Sequence, residues 1–583
     1  MPNSLELPIM PGSRFLAASW KRAGAGDRLL SRLQGWQIVQ GDGWLLASEK
    51  ADCFGRHQGA AVATSIHRLF DRRAARNLGA ADLAAQLAQK PDFLPSELAS
   101  LAAPFRLAWV SDAGATPTIA TDGSGLGQVF HATGGDVAVA SSSAALIASL
   151  IGAGPDVAAL ASFAQFGSFP FEETPFAGVR KLSAGSLVRL NNGQCLVESW
   201  LPSEQPGGSI SEALRQCVSM MVRADAAATM ELSGGLDSRL VLAAMAPEDR
   251  RGRLSLTIGS ADYPSADVTL ARRIAAAEGL DHRVVDVGGM NLDRADMPAL
   301  LDHVIDGYDR MANPLDKLPL VFANNGYNET ARFGGQNGEI MRGFYYPLQP
   351  LEAQPSRALA NRLISTRLIG NDRVDPSIFS HAAGEPLKAA REKMADHLMQ
   401  GSGTWGDVLD RFYLDYRMQS WAGNGISNRF VGRTIFWPFF DRGVLRAAYG
   451  LKPADKQHSM AAYRLLLDLD PALARLPLDT GVVPAFAVRG GLGARIAQAR
   501  MTAMKVKKKL AQRLGRNVHQ VIGADVAAGH WHRQEGHKRL DFDALSRLGL
   551  FDSAFLDSVA AGKARPDRPT LGFVLLCNAV VKP

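Results

Sequence analysis

The stretch Glu231-Leu232-Ser233-Gly234-Gly235-Leu236-Asp237-Ser238 constrains this chain more than any other. A strand-like run, Thr229-Met230-Glu231-Leu232, leads into it. Arg239-Leu240-Val241-Leu242-Ala243-Ala244-Met245 follows with the pattern of the first turns of a helix. A small-residue turn between a strand and a helix N-terminus forms an anion site, because unpaired backbone N–H groups and the positive end of the helix dipole converge there. Gly234 and Gly235 carry no Cβ to hold a phosphate off the backbone. Ser233 and Ser238 add hydroxyl donors, and Asp237 adds a carboxylate able to hold a magnesium ion that bridges phosphates. No Gly-Lys-Ser/Thr follows, which sets the loop apart from the P-loop of kinases and GTPases.

At 583 residues the chain is expected to hold more than one domain, since single cores seldom grow past roughly 250–300 residues. Its 46% hydrophobic and 21% charged residues describe an ordinary globular composition, and no apolar run reaches the roughly 18 residues of a membrane span. The start, Met1-Pro2-Asn3-Ser4-Leu5-Glu6, lacks the basic and apolar segments of a secretion signal. Four scattered cysteines (Cys53, Cys195, Cys217 and Cys577) suit a reducing cytoplasm and show no metal spacing. The net charge of +7 is modest for this length. The basic stretch Arg489–Arg516 lacks the interleaved aromatics of a nucleic-acid surface, so no nucleic-acid partner is expected. His530, His532 and His537 lack the cysteines or spaced carboxylates of a metal site.

Residues 1 to about 200 alternate short β-type runs with Gly, Asp and Ser breaks: 36–40, 44–47, 106–110 and 186–190. A helical stretch at 80–87 interrupts them. This pattern predicts an α+β domain of stacked antiparallel sheets. Gly123, Gly125 and Gly127 are followed by strand residues and no helix, so they predict a turn and not a dinucleotide fingerprint. Residues 201–209, rich in Pro, Gly and Ser, read as a linker between a domain over 1–203 and one over 210–583. Beyond it, a helix from Ile210, a strand at 254–259, a helix at 266–275 and a strand at 281–287 alternate as a doubly wound parallel sheet does. Ligands bind such sheets at the carboxyl ends of the strands. The last 180 or so residues are helix-rich.

The Ser233–Ser238 loop resembles the Ser-Gly-Gly-x-Asp-Ser loop of the ATP pyrophosphatases, which cradle pyrophosphate and cleave ATP between the α- and β-phosphates. Within that superfamily the landmarks resemble the asparagine synthetases. Residues 105–112, 122–130, 138–142 and 175–185 follow, in order, four motifs of their glutaminase domain. That resemblance implies an Ntn-type α+β sandwich followed by an α/β ATP pyrophosphatase domain with a helical C-terminal part. The family's glutaminase cysteine would fall at position 2, where Pro2 stands, so the first domain is expected to lack its nucleophile.

The resemblance further implies adenine at Thr257, Ile258 and Gly259, with Leu232, Ser233, Gly234, Gly235, Asp237 and Ser238 around the phosphates and Asp267 flanking them. For Asp267, a helix N-terminal charge complementing the dipole is an equal alternative. Gly334-Gly335-Gln336-Asn337-Gly338-Glu339-Ile340-Met341-Arg342-Gly343-Phe344 is similar to the family's Gly-Glu-Gly-x-Asp-Glu-x-x-Gly-Gly-Tyr segment. The metal-binding Asp of that segment falls on Gly338, which leaves Asp237 and Glu339 as the metal ligands, with Asn337 acting through water. Arg342 is the candidate for neutralising phosphate charge. Phe436-Trp437-Pro438-Phe439-Phe440-Asp441 resembles the strand that lines the acceptor pocket. The family places a catalytic lysine downstream of its aspartate, assigned here to Lys456 with Lys452 and His458 as alternates.

These resemblances imply an ATP- and magnesium-dependent amide-forming ligase. The form most similar is a lasso-peptide cyclase, which adenylates an Asp or Glu side chain of a precursor peptide and closes the ring with the peptide's own N-terminal amine. A leader peptidase and a leader-recognition protein would be its partners. A β-lactam synthetase or another amide ligase is the alternative, and a non-catalytic nucleotide-binding relic is the rival from a different class.

Overall fold

The computed structural model describes residues 7–112, 115–201, 206–259, 265–286, 295–325, 331–369, 373–490 and 524–582. Pro2, residues 202–205 of the 201–209 linker and nearly all of the basic stretch from Arg489 lie outside the described residues.

The first domain is a sandwich of two six-stranded antiparallel sheets. In spatial order one sheet runs Arg180–Lys181, Phe130–Gly134, Val137–Ser141, Phe15–Trp20, Trp44–Ser48 and Gln37–Gly41. The other runs Gln194–Ser199, Ser186–Asn191, Thr118–Thr121, Arg106–Val110, Ala60–Thr64 and Phe54–His57. Phe15, Leu46, Ala63, Val110, Ile119 and Val188 fill the space between the sheets. Residues 122–127 form a turn: the buried Asp122 carboxylate accepts the N–H groups of Phe105, Ser124, Leu126 and Gly127 at 2.6–3.3 Å. Gly125 there adopts a left-handed φ of 69°.

The second domain opens with helix α1 (Ile210–Ala224), capped by Ser209 and buried along Leu214, Cys217, Val218 and Met221. Its sheet is parallel throughout, built from β1 (Thr229–Glu231), β2 (Leu254–Gly259), β3 (Asp281–Asp286), β4 (Ala331–Phe333) and β5 (Thr434–Phe436) in the order β3-β2-β1-β4-β5. Helix α2 (Asp237–Ala244) follows β1, and α3 (Ala266–Glu278) joins β2 to β3. Met230, Leu256, Phe333 and Phe436 are buried, as parallel strands covered on both faces require. The order reverses at β1, whose neighbours β2 and β4 lie on opposite sides, so a crevice opens at its carboxyl end. Phe70 of the sandwich packs edge-on against Phe436 at 5.3 Å, and Arg72 pairs with Asp441 at 2.6 Å, tying the two domains together.

Candidate active site

A cleft of about 580 Å³ occupies that crevice. Leu232, Ser233, Asp237, Ser238, Thr257, Ile258, Gly335 and Glu339 line it, so eight of the residues singled out in the sequence share one site. Gly335 lies tight against the first turn of α2: a Cβ there would fall 2.5 Å from the Ser238 nitrogen. A Cβ at Gly334 would fall 2.5 Å from Trp437 Nε1 and 2.8 Å from Glu231 Oε2. These two glycines therefore let the β4 turn approach the β1 turn.

The loop itself is more internally satisfied than the sequence predicts. Ser233 N–H donates to Ser238 Oγ at 3.1 Å, Gly235 N–H to Ser233 Oγ at 3.2 Å, and Gly234 N–H to Asp267 Oδ1 at 2.6 Å. The expected cradle of unpaired amides is thus closed by side chains, which a phosphate would have to displace. Asp267 enters the site through this bond, beyond any role in complementing its helix dipole. Thr257 Oγ1 bridges the Leu232 carbonyl at 2.7 Å and His282 Nε2 at 2.9 Å, locking β2 to β1 and β3.

Asp237, Glu339 and Arg342 form one cluster. The Arg342 guanidinium donates to Asp237 Oδ2 and lies 3.2 Å from Glu339 Oε1, while the Tyr413 hydroxyl donates to Glu339 Oε2 at 2.9 Å. Burial pushes the Asp237 carboxyl up to about 7 against the pull of Arg342, with the charge of Glu339 adding to the rise. The same burial, with Glu339 beside it, carries the Tyr413 phenol well above its ordinary value. Gly338 faces Asp237: a Cβ there would fall 2.3 Å from Asp237 Oδ1, so a side chain at this position and the observed Asp237 rotamer exclude each other.

The donor set fits a magnesium ion at one position. Asp237 Oδ1 is buried with no hydrogen-bond partner among the described residues, the orphaned carboxylate oxygen that a hard cation takes. Glu339 is the second carboxylate, but the Arg342 guanidinium already sits between the two acids.

Lys456, the lysine expected to be catalytic, does not line this cleft. It ends the short helix Pro453–Lys456 and turns fully inward, its Nζ 2.5 Å from Asp410 Oδ2. A carboxylate buried to that depth requires a cation, and Lys456 supplies it. Asp441 is likewise structural: it caps helix Arg442–Tyr449 through the Gly443 and Val444 N–H groups. Of the acceptor strand, Trp437 lines the cleft, while Phe439 and Phe440 are core.

Several lining residues had no sequence signal. Helix Pro314–Asn325 brings Lys317, Leu320 and Asn324. The ten residues Tyr413–Ala422 form a π-helix, and Tyr413, Arg417, Met418, Trp421 and Ala422 all face the cleft from it. The i→i+5 bonding of a π-helix sets residues four and five apart on one face, and such helices concentrate at functional sites.

Residues 209–323 match the family model for asparagine synthase. They include the loop, β1 to β3 and the helix carrying Lys317. Two solved structures share 10% identity with this chain: the glutamine phosphoribosylpyrophosphate amidotransferase of B. subtilis with ADP and GMP, and the allosteric regulatory enzyme of purine biosynthesis. Each aligns over 47% of this chain with a TM-score of 0.23, and the chain spans 65% and 64% of their respective lengths. Curated protein sequences yield no match. The matched segment is the part of the second domain that is similar to asparagine synthase.

Proposed function

We propose that the chain activates a carboxylate as an acyl-adenylate, releasing pyrophosphate, and passes the acyl group to an amine carried by the same substrate, with AMP as the leaving group and the amine losing a proton. The single observation that carries this reading is the Asp237–Arg342–Glu339 cluster beside the Ser233–Ser238 loop, at the carboxyl end of β1. Arg342 is placed to neutralise phosphate charge once a nucleotide displaces it from the two acids, and Asp237 Oδ1 with Glu339 would hold magnesium. When bound, that ion would screen the departing pyrophosphate. Leu256, Thr257 and Ile258 border the cleft as backbone and side-chain contacts for an adenine.

An amine from within the substrate, and not ammonia released from glutamine, is supported by the state of the cysteines. Cys53, Cys217 and Cys577 are buried, and all four thiols are held above their ordinary range by burial. None is poised as a thiolate nucleophile. A peptide cyclised between a side-chain carboxylate and its own N-terminal amine, as in a lasso-peptide precursor, fits both this and the size of the cleft. A leader peptidase and a leader-recognition protein would then accompany the enzyme. Incubation with ATP, magnesium and acidic peptides should release pyrophosphate, with the peptide losing one water by mass spectrometry. A peptide recovered at its original mass alongside steady pyrophosphate release would turn the reading towards adenylate hydrolysis, and no pyrophosphate with any carboxylate would end it.

A further inference from the structure

Past Tyr413 the cleft changes character. Lys317 Nζ lies 5.1 Å from the Trp421 ring centre and 5.7 Å from that of Tyr308. The Arg417 guanidinium lies 3.6 Å from the Trp421 ring and 5.6 Å from the Phe344 ring. Two cations thus share one indole. Among the described residues neither pairs with a carboxylate; the nearest acid in sequence, Asp316, turns away to Arg568. Lys317 is only 8% exposed, and burial lowers its ammonium to about 8, with Asp316 opposing that shift and Arg417 adding to it. Cation–π contacts contribute about 0.5–2 kcal/mol and do not satisfy N–H donors. A buried ammonium and a half-buried guanidinium on one cleft wall, neither facing a carboxylate among the described residues, therefore suit an anion inside the cleft. Arg417 lies close over Trp421, where a stacked guanidinium keeps its N–H edge free for the planar, bidentate geometry of a carboxylate.

Position separates this anion from the reacting group. Tyr413 touches Glu339, Arg417 stands one π-turn further along, and Trp421 one turn beyond that. We propose that Lys317 and Arg417 anchor a second, non-reacting carboxylate of the acyl substrate, with its apolar neighbour laid on Trp421 and Phe344. The substrate class is then a peptide segment carrying two acidic groups, one activated and one held. This rests on the amide-ligase reading, which it deepens.

Saturation-transfer NMR on the full chain tests it with 3-phenylpropionate as probe. The signal should exceed that of 3-phenylpropionamide by about tenfold, the order expected from one charge-assisted pair. It should persist with α,β-methylene-ATP and magnesium present, fall to the amide's level in Lys317→Met and Arg417→Leu, and survive in Lys317→Arg, which keeps the charge and controls for folding. Equal signals from acid and amide, or a signal unchanged in both charge-removing variants, overturn the proposal. So does its loss on adding the nucleotide or inorganic phosphate, because the cations would then serve the phosphates. Failure of the chain to bind α,β-methylene-ATP in a thermal-shift assay would defeat the ligase reading instead, leaving the carboxylate result to be judged separately.

Discussion

At the phosphate end of the cleft Arg342 is held by two carboxylates, whereas at the far end Lys317 and Arg417 rest on aromatic faces without one. The first arrangement is charge-paired without substrate: guanidinium, Asp237 Oδ2, Glu339 and the Tyr413 hydroxyl engage one another, and Asp237 Oδ1 alone of the carboxylate oxygens stays without a partner among the described residues. A nucleotide would exchange these bonds for its own. The second is incomplete, and its charge is compensated only when something anionic enters. A self-satisfied cluster positions catalytic groups, while an unsatisfied one selects what binds. Lys456 sharpens the contrast, because it is a lysine even more buried than Lys317 but paired with Asp410.

The largest effect is expected from that third cation. Lys456→Met leaves Asp410 buried without its cation and should destabilise the fold by about 3–5 kcal/mol in urea melts. Asp410→Leu added to it should recover most of the loss. At a permissive temperature the variant should still bind α,β-methylene-ATP, since Lys456 does not touch the cleft. Loss of nucleotide affinity with the fold intact would return Lys456 to the site.

Asp237→Ala removes the orphaned oxygen and should lower pyrophosphate release by about two orders of magnitude or more. Because Arg342 keeps Glu339 as a partner, stability should change far less than rate. Gly338→Ala acts on the same oxygen from the other side. Its methyl group would need the space now held by Asp237 Oδ1, a strain of about 1–3 kcal/mol. The expected outcome is weaker magnesium-dependent nucleotide binding with a modest fall in melting temperature. An unchanged magnesium dependence would show that Asp237 can move aside freely.

The phosphate end was legible in the sequence because its parts are local: strand, small-residue turn and helix start lie within sixteen residues, and the glycines at 334 and 335 mark a close approach. Three strands of the parallel sheet were legible for the same reason, while the three-residue strands Ala331–Phe333 and Thr434–Phe436 are too short to show a periodicity of their own. What the loop's amides do was not, because Asp267 reaches Gly234 from another element. The far end was hidden but for Phe344, at the end of the 334–344 segment. Tyr308, Lys317, Phe344 and Trp421 come from four separate segments, and a π-helix at 413–422 has the same composition as an α-helix. The surroundings of Lys456 were hidden for a related reason. A lysine downstream of Asp441 matches a spacing, but only the fold reveals that it meets Asp410, forty-six residues earlier.

The smallest effect has the opposite sign to that at Lys456. Burial lowers the Lys317 ammonium from 10.5 to about 8, so the unfolded chain binds its proton more tightly and charging it favours unfolding. The penalty is fully present below pH 8, shrinks as pH rises towards 10.5, and is absent above it. Lys317→Met should therefore raise stability by about 1 kcal/mol at pH 7, with the gain vanishing near pH 10.5. Urea melts of the two proteins at both pH values measure this, with Arg417→Leu as a check on the neighbouring charge. A loss of stability at pH 7 would mean that Lys317 has a partner within the chain, and the distinction between the two ends of the cleft would collapse. A carboxylate ligand should reverse the sign, since an anion held by Lys317 stabilises the charged form and restores the wild type's advantage at pH 7.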